Sequence, residues 1–325
     1  MILAGDVGGT NVRLALFQIA NGKLAPGDEK KFRSRDFAGL EQPVEAFLAG
    51  RRVSAAGFGV AGPVRNGRCE ATNLPWVVDA ASLARRLALS RVALVNDLLA
   101  NAIGLAELEP GDVAVVNAGT EDLEGNAALI SAGTGLGEAY LVRANGRFLP
   151  QASEGGHASF APRNAVEIEL LRHLETKWSH VSFERVLSGP GLAALYAFER
   201  ARSGESEPAW LAAEVAAAGD PAPPVTAAGL AGKDAVAERT VERFVSIYGG
   251  EAGNLALKVL ATGGLWVGGG IAPKLLPRML DGTFFGGFCD KGRFAPLLAK
   301  IPIRVVTNDR CALLGAARAG AEAAA

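Results

Sequence analysis

Two stretches of this chain share one shape. "ILAGDVGGTNVRLALF" (2–17) and "AALISAGTGLGEAYLV" (127–142) each run from an apolar strand through a glycine-rich turn into a second strand, and Gly8 aligns with Gly133. Apolar runs joined by such a turn read as β-hairpins. Finding the shape twice implies two related halves. Turns without Cβ atoms also let successive backbone N–H groups approach a ligand, and threonine hydroxyls add donors to the resulting anion-binding concavity. Gly8, Gly9, Thr10 and Asn11, and then Gly133, Thr134 and Gly135, are therefore candidate phosphate cradles. Neither set is a G-x-x-x-x-G-K-[ST] loop or a G-x-G-x-x-G that opens a helix. Glycine also serves tight turns for geometry alone, so the matching pair carries more weight than either member.

Around the hairpins, strands and helices alternate, which calls for an α/β fold. "VSAAGFGVAGPV" reads as a strand ending in a Gly-Pro turn, "SLARRLAL" as a helix, "RVALVND" as a strand and "LLANAIGLAEL" as an apolar-periodic helix. After the second hairpin come a helix at "NAVEIELLRHLETKW" and two more near 190–200 and 207–218. The Pro/Ala/Gly stretch "GDPAPPVTAAGLAG" (219–232) is expected to be a surface loop. A long helical region over 234–261 is expected to break at Gly249-Gly250. A buried strand "GLWVGG", a strand "IPIRVVT" and a helix from about 310 complete the chain.

Composition excludes several function classes. The chain has 325 residues, 49% hydrophobic and 21% charged, enough for a substantial core and for about two domains. Its net charge of −1 leaves no basic excess to grip a nucleic-acid backbone. Three cysteines, Cys69, Cys289 and Cys311, are too few and too scattered for a disulfide framework or a four-cysteine zinc site. No apolar run reaches membrane-spanning length, and "MILAG" is too short for a signal-peptide core. A cytoplasmic location with no membrane partner is expected.

The candidate chemistry gathers in polar residues beside glycines. Asn96 and Asp97 end a buried strand where the chain turns into a helix, the edge of an α/β sheet where ligands sit. An aspartate there is also a common helix cap. Asp6 precedes the first glycine turn; beside phosphates it would be repelled unless a cation intervened, which hints at Mg²⁺ held partly through water, although a turn-stabilising role is the simpler alternative. "SEGGH" brings Glu154 and His157 together across two glycines, and the remaining histidines, His173 and His180, are too remote in sequence to complete a zinc site. With Glu184, and with Thr72 and Asn73 in "ATNLPW", these residues offer acids and amides without a basic cluster. Such a set suits a neutral polyol rather than an anion.

Taken together, "GDVGGTNVRLAL", "VND", "SAGTGLGEAYLV", "EGGHASFAP", "ERVLSGPGL", "GGLWVGGGIAP" and "NDRCALLGAA" stand in the order found in bacterial ATP-dependent glucokinases, which the chain resembles over nearly its whole length. The segment 201–232 matches least well. The resemblance implies an actin/hexokinase-like (ribonuclease-H-like) two-domain α/β fold with a central cleft: a small domain of 1–107 plus 306–325 and a large one of 108–305. It implies transfer of the γ-phosphate of ATP to the 6-hydroxyl of D-glucose, with Mg²⁺ and with Asp97 as catalytic base. Asn96, Asp97, Glu154, His157 and Glu184 would hold the sugar, with Thr72 and Asn73 nearby. Gly8–Asn11 and Gly133–Gly135 would lie against the phosphates, and Gly268, Gly269 and Gly270 near the adenosine. Related sugar kinases and repressors carry a cysteine-rich zinc motif after the sugar histidine; none occurs here, so no structural zinc is expected. A homodimer is expected from the family. Alternatives are a kinase for another hexose or amino sugar, such as fructose or N-acetylmannosamine, and an actin-like ATPase without a sugar pocket. A sugar-responsive repressor would need a DNA-binding domain ahead of the first hairpin.

Overall fold

The computed structural model describes residues 1–71 and 75–324. The chain divides into two compact units, Met1–Val113 with Pro150–Ala152 and Asn308–Ala325, and Ala114–Leu149 with Ser153–Thr307. In the first unit, β1 (Ile2–Val7), β2 (Asn11–Ala20), β3 (Lys23–Arg33), β4 (Ala55–Val60) and β8 (Ala93–Asn96) form a sheet ordered β3-β2-β1-β4-β8. The first hairpin makes β1 and β2 antiparallel, whereas β1, β4 and β8 run parallel. Every residue of β4 is buried, as befits a parallel strand covered on both faces. Its continuous apolar run is the sequence trace of that burial. A small sheet of β5 (Val64–Arg65), β6 (Arg68–Glu70) and β7 (Val77–Asp79) lies between β4 and β8 in the chain. Helices α1 (Glu41–Leu48), α2 (Ala80–Leu87) and α3 (Asp97–Gly104) complete this stretch.

The second sheet has the order β12-β11-β10-β13-β14-β9, from β9 (Val113–Asn117), β10 (Ala127–Ala132), β11 (Leu136–Ala144), β12 (Arg147–Ser153), β13 (Gly264–Gly268) and β14 (Ile303–Val306). Here β10 and β11 are the antiparallel hairpin, and β10, β13 and β14 run parallel. The topology of the first sheet therefore recurs around the second glycine turn. Helices α4 (Ala165–Glu175), α5 (Gly189–Ser203), α6 (Ala209–Ala218), α7 (Ala222–Leu230) and α8 (Ala235–Val259) follow, then α9 (Leu276–Leu280), α10 (Thr283–Cys289) and α11 (Ala295–Leu298).

Two expectations fail here for identifiable reasons. The stretch 219–232 is not a loop: it contains α7, whose Pro223 and Pro224 stand in the first turn, where a missing N–H costs nothing. Its Val225, Ala228 and Gly229 are buried. Nor does α8 break at Gly249-Gly250; it continues through them. A Cβ on Gly249 would collide with the Phe284 carbonyl oxygen, so that glycine is there to bring α8 and α10 close. The same contact builds the core: Phe244, Tyr248 and Phe284 are fully buried, and Tyr248 meets Phe284 edge to face with centroids 5.6 Å apart. Each such side chain contributes about 1.5–3 kcal/mol by burial. The Tyr248 hydroxyl accepts from Ala132 N–H at 3.0 Å, which ties the core to the start of the second glycine turn.

The last helix, α12 (Cys311–Ala324), returns to the first unit and packs on β1, β4 and α3. A Cβ on Gly315 would run into the Ala100 carbonyl oxygen, and one on Gly104 into that of Cys311. Two helices meet here backbone to backbone, and α3 begins at Asp97. Among the described residues, no helix is long and apolar enough to cross a membrane. Replacing Gly315 by alanine overpacks the α3–α12 contact and should lower the unfolding free energy by about 1–3 kcal/mol. Urea unfolding checks this, and an unchanged midpoint would mean that the helices can separate without cost.

Candidate active site

At the carboxyl end of β8 the two polar residues divide their duties. Asn96 is the cap of α3: its Oδ1 accepts from Leu98 N–H at 3.0 Å and from Leu99 N–H at 3.3 Å. Asp97 is the first helical residue, and its Oδ1 accepts from Asn96 Nδ2 and from Leu98 N–H, each at 2.9 Å. Asn96 Nδ2 also donates to Gly62 O at 3.1 Å, anchoring the pair to the turn after β4. The cap that the sequence allowed for Asp97 thus belongs mainly to its neighbour.

The first glycine turn stands next to this pair. Gly8 N–H donates to Asn11 O at 2.9 Å, and the buried Ser34 hydroxyl donates to Gly8 O at 2.9 Å. Asp6 lies opposite Arg13 in the hairpin register. Burial first, then the charge of Asp97, pushes the Asp6 carboxyl up to about 6, against the opposing pull of Arg13 and Lys31. Two acids therefore stand within each other's field. Among the described residues, no group of three or more His, Cys, Asp or Glu could hold a metal ion.

In the second unit the turn Gly133–Gly135 is closed by Gly133 N–H donating to Gly135 O at 2.8 Å, while Gly189 N–H donates to Gly133 O at 2.8 Å. Thr134 is the middle residue of this turn. Gly269 has φ +84°, and a side chain there would strike the Ala132 carbonyl, so Gly268–Gly270 passes close beside the same turn. The structure thus brings the two nucleotide-side candidates of this unit together.

Three sugar-side candidates of this same unit, Glu154, His157 and Glu184, come together beside the turn. His157 Nε2 lies 3.9 Å from Glu154 Oε2, and its Nδ1 lies 3.9 Å from Glu184 Oε1. Glu184 is fixed by Leu136 N–H, which donates to its Oε2 at 3.0 Å, so one backbone amide joins the glycine turn to the acid. The loop is stitched to the following segment by Phe160 N–H to Val181 O at 2.9 Å and Phe183 N–H to Ala158 O at 3.0 Å. His180 Nε2 adds a hydrogen bond to His157 O at 3.0 Å. Side chains of Glu154 and His157 are 81% and 59% exposed, available to a ligand rather than packed in a core. Thr72 and Asn73 lie outside the described residues.

Sequence reasoning passed over Ser34, Glu138 and Glu251. All three are buried polar residues: Ser34 bonds Gly8, Glu138 lies against Gly155, and Glu251 is the neighbour of Glu138. A glutamate at a buried position of β11, within the apolar run that follows the glycine turn, was the one available signal.

A hairpin sheet repeated in two units, each with a glycine turn beside polar side chains, defines a protein of the actin/hexokinase-like fold, and the comparisons make it an ATP-dependent sugar kinase. The family model described as glucokinase matches residues 3–323. The glucokinase of a Nostoc species is 40% identical over 98% of both chains. A solved glucokinase from an Antarctic psychrotroph, 31% identical, superposes with a TM-score of 0.86 over 99% of this chain and 98% of its own. A glucokinase of the ROK family from Streptomyces griseus, solved with glucose and AMPPNP, shares the fold at TM-score 0.66 and 20% identity over 99% of both chains. The chain belongs to the glucokinase family.

Glycines in the two loops differ in what a methyl group would meet. At Gly133 it meets nothing within 4 Å, whereas at Gly156 it runs into the Leu136 carbonyl oxygen. Gly133→Ala should keep the melting temperature of the parent, while Gly156→Ala should lower it by roughly 3–8 °C through overpacking. Thermal unfolding of both checks the packing, and equal losses would contradict it.

Proposed function

We propose that this chain transfers the γ-phosphate of ATP to the 6-hydroxyl of D-glucose, with Asp97 as the base. The observation that carries this role is that Asn96 is the cap residue of α3, while Asp97, the first helical residue at the end of β8, holds its carboxylate in the field of Asp6 beside the first glycine turn. Held by Asn96 Nδ2 and Leu98 N–H, the carboxylate has a fixed direction and takes the proton of the attacking hydroxyl. A weak base suffices, because phosphoryl transfer is governed by positioning and charge stabilisation. Asn96, Glu154, His157 and Glu184, with Thr72 and Asn73, are proposed to bind the sugar hydroxyls. A pocket built on such hydrogen bonds rejects epimers that leave its polar groups unpaired.

The turns Gly8–Asn11 and Gly133–Gly135 are proposed to receive the phosphates through the amides not spent within them, since Gly8 N–H and Gly133 N–H are already paired, and Gly268–Gly270 to line the adenosine. Mg²⁺ fits Asp6, whose half-buried carboxyl sits in the field of Asp97, a charge pair that a cation relieves. Water and phosphate would complete its shell, as is usual for this ion. When bound, the ion neutralises charge on the transferring phosphate. The domain division proposed is 1–107 with 306–325 against 108–305, and the working state a cytoplasmic homodimer.

Asp97→Asn should lower kcat by roughly a hundredfold to ten-thousandfold, while glucose still binds with little change in Kd. Steady-state kinetics with calorimetric titration of glucose separate the two effects. A kcat near that of the parent would remove Asp97 as the base.

A further inference from the structure

A buried carboxyl pair lies beneath the sugar-side loop. Glu138 on β11 is 1% exposed and Glu251 on α8 is fully buried. Glu251 accepts from Asn254 Nδ2 at 2.7 Å and from Lys258 Nζ at 3.4 Å. Glu138 Oε1 is buried and finds no N–H or hydroxyl donor among the described residues, and the side-chain group within hydrogen-bonding reach of this carboxyl is the Glu251 carboxyl. The other oxygen, Oε2, lies so close under Gly155 that a Cβ there would overlap it. Gly155 N–H in turn donates to Ser153 Oγ at 2.9 Å. The backbone between Ser153 and His157 therefore rests on the Glu138 carboxyl.

Two ionised carboxylates in this place would repel each other with little water to screen them. The charged and titratable groups around them are few. Lys258 reaches Glu251 but is itself half exposed. Lys291 approaches α8 at Gly253, and burial and Arg163 both disfavour its ammonium form. Arg163, against Gly250, is bound by Glu167. The Tyr248 hydroxyl is engaged by Ala132 N–H. On the loop above, the Glu154 and His157 side chains are turned to solvent. A shared proton is the simplest way to hold the pair.

We propose that Glu138 is a positioning residue for the sugar-side loop: as a neutral acid bonded to Glu251 it supports Gly155, and its ionisation displaces the loop and weakens glucose binding. This rests on the reading that Glu154 and His157 hold the sugar. Burial, followed by the Glu251 charge, pushes the Glu138 carboxyl well above the usual carboxylate range, with Lys258 opposing. Raising the pH into the alkaline range therefore removes the proton that the pair shares, and with it the neutral form.

The test is the glucose KM and kcat from pH 6.5 to 9.5 for the parent, Glu138→Gln, Glu138→Ala and Glu154→Ala. In the parent, KM should rise about tenfold between pH 7 and 9.5, with kcat changing much less. Glu138→Gln keeps the shape of the neutral acid and cannot ionise, so its KM should stay near the parent's pH 7 value throughout. Glu138→Ala removes the support and should raise KM at every pH; should it fail to fold, the glutamine variant decides alone. A parent KM flat to pH 9.5, or a Glu138→Gln variant that follows the parent's alkaline rise, overturns the proposal. Glu154→Ala distinguishes the two levels of failure. If it raises KM at pH 7 while Glu138→Gln tracks the parent, only the role of Glu138 falls. If it leaves KM unchanged, the sugar-side reading of the loop falls and the positioning role with it.

Discussion

A central strand buried on both faces must leave its sheet abruptly, and in both units of this chain it does so through glycine. β1 and β10 are almost entirely buried, and each passes by a short glycine turn into its antiparallel partner. The backbone groups of those turns are partly closed on themselves, Gly8 on Asn11 and Gly133 on Gly135. Everything polar that matters is hung around these two corners. Asp6, Asn96 and Asp97 stand by the first; Glu184, through the Leu136 amide, and Gly269, against the Ala132 carbonyl, stand by the second.

Precision at each corner comes from close backbone packing elsewhere. In the first unit α3, which carries Asp97 at its start, is held by α12 through Gly104 and Gly315. In the second, the Tyr248 hydroxyl reaches Ala132 from the middle of a helix brought close to α10 by Gly249. The two units also share an electrostatic habit. Asp6 and Glu138 are both acids raised first by burial and then by another carboxylate, Asp97 in one case and Glu251 in the other. Asp6 has Arg13 and Lys31 to moderate it, whereas Glu138 is moderated by Lys258.

Much of this was readable from the chain. The hairpins announced themselves because a glycine turn between two apolar runs has few other meanings, and the parallel strands because their burial on both faces leaves an unbroken apolar run. Asn96-Asp97 stood out by position, at the end of such a strand. Capping geometry could not be read, since either residue can cap and only the backbone decides between them. The prolines of 221–224 misled because the rule that breaks helices in their interior favours them in a first turn. Gly249-Gly250 misled because low helix propensity was outweighed by the packing it allows. The Glu138–Glu251 pair was hidden for a different reason: its members are far apart in sequence and meet only through the fold.

The central claim is that the polar residues around these turns serve a hexose and not ATP turnover alone. The most direct measurement is a coupled assay of ADP release with Mg-ATP across glucose, mannose, fructose, N-acetylglucosamine, N-acetylmannosamine and no sugar. The expected result is strong preference for glucose with little turnover in its absence. ATP turnover at the same rate with every sugar and with none would contradict it.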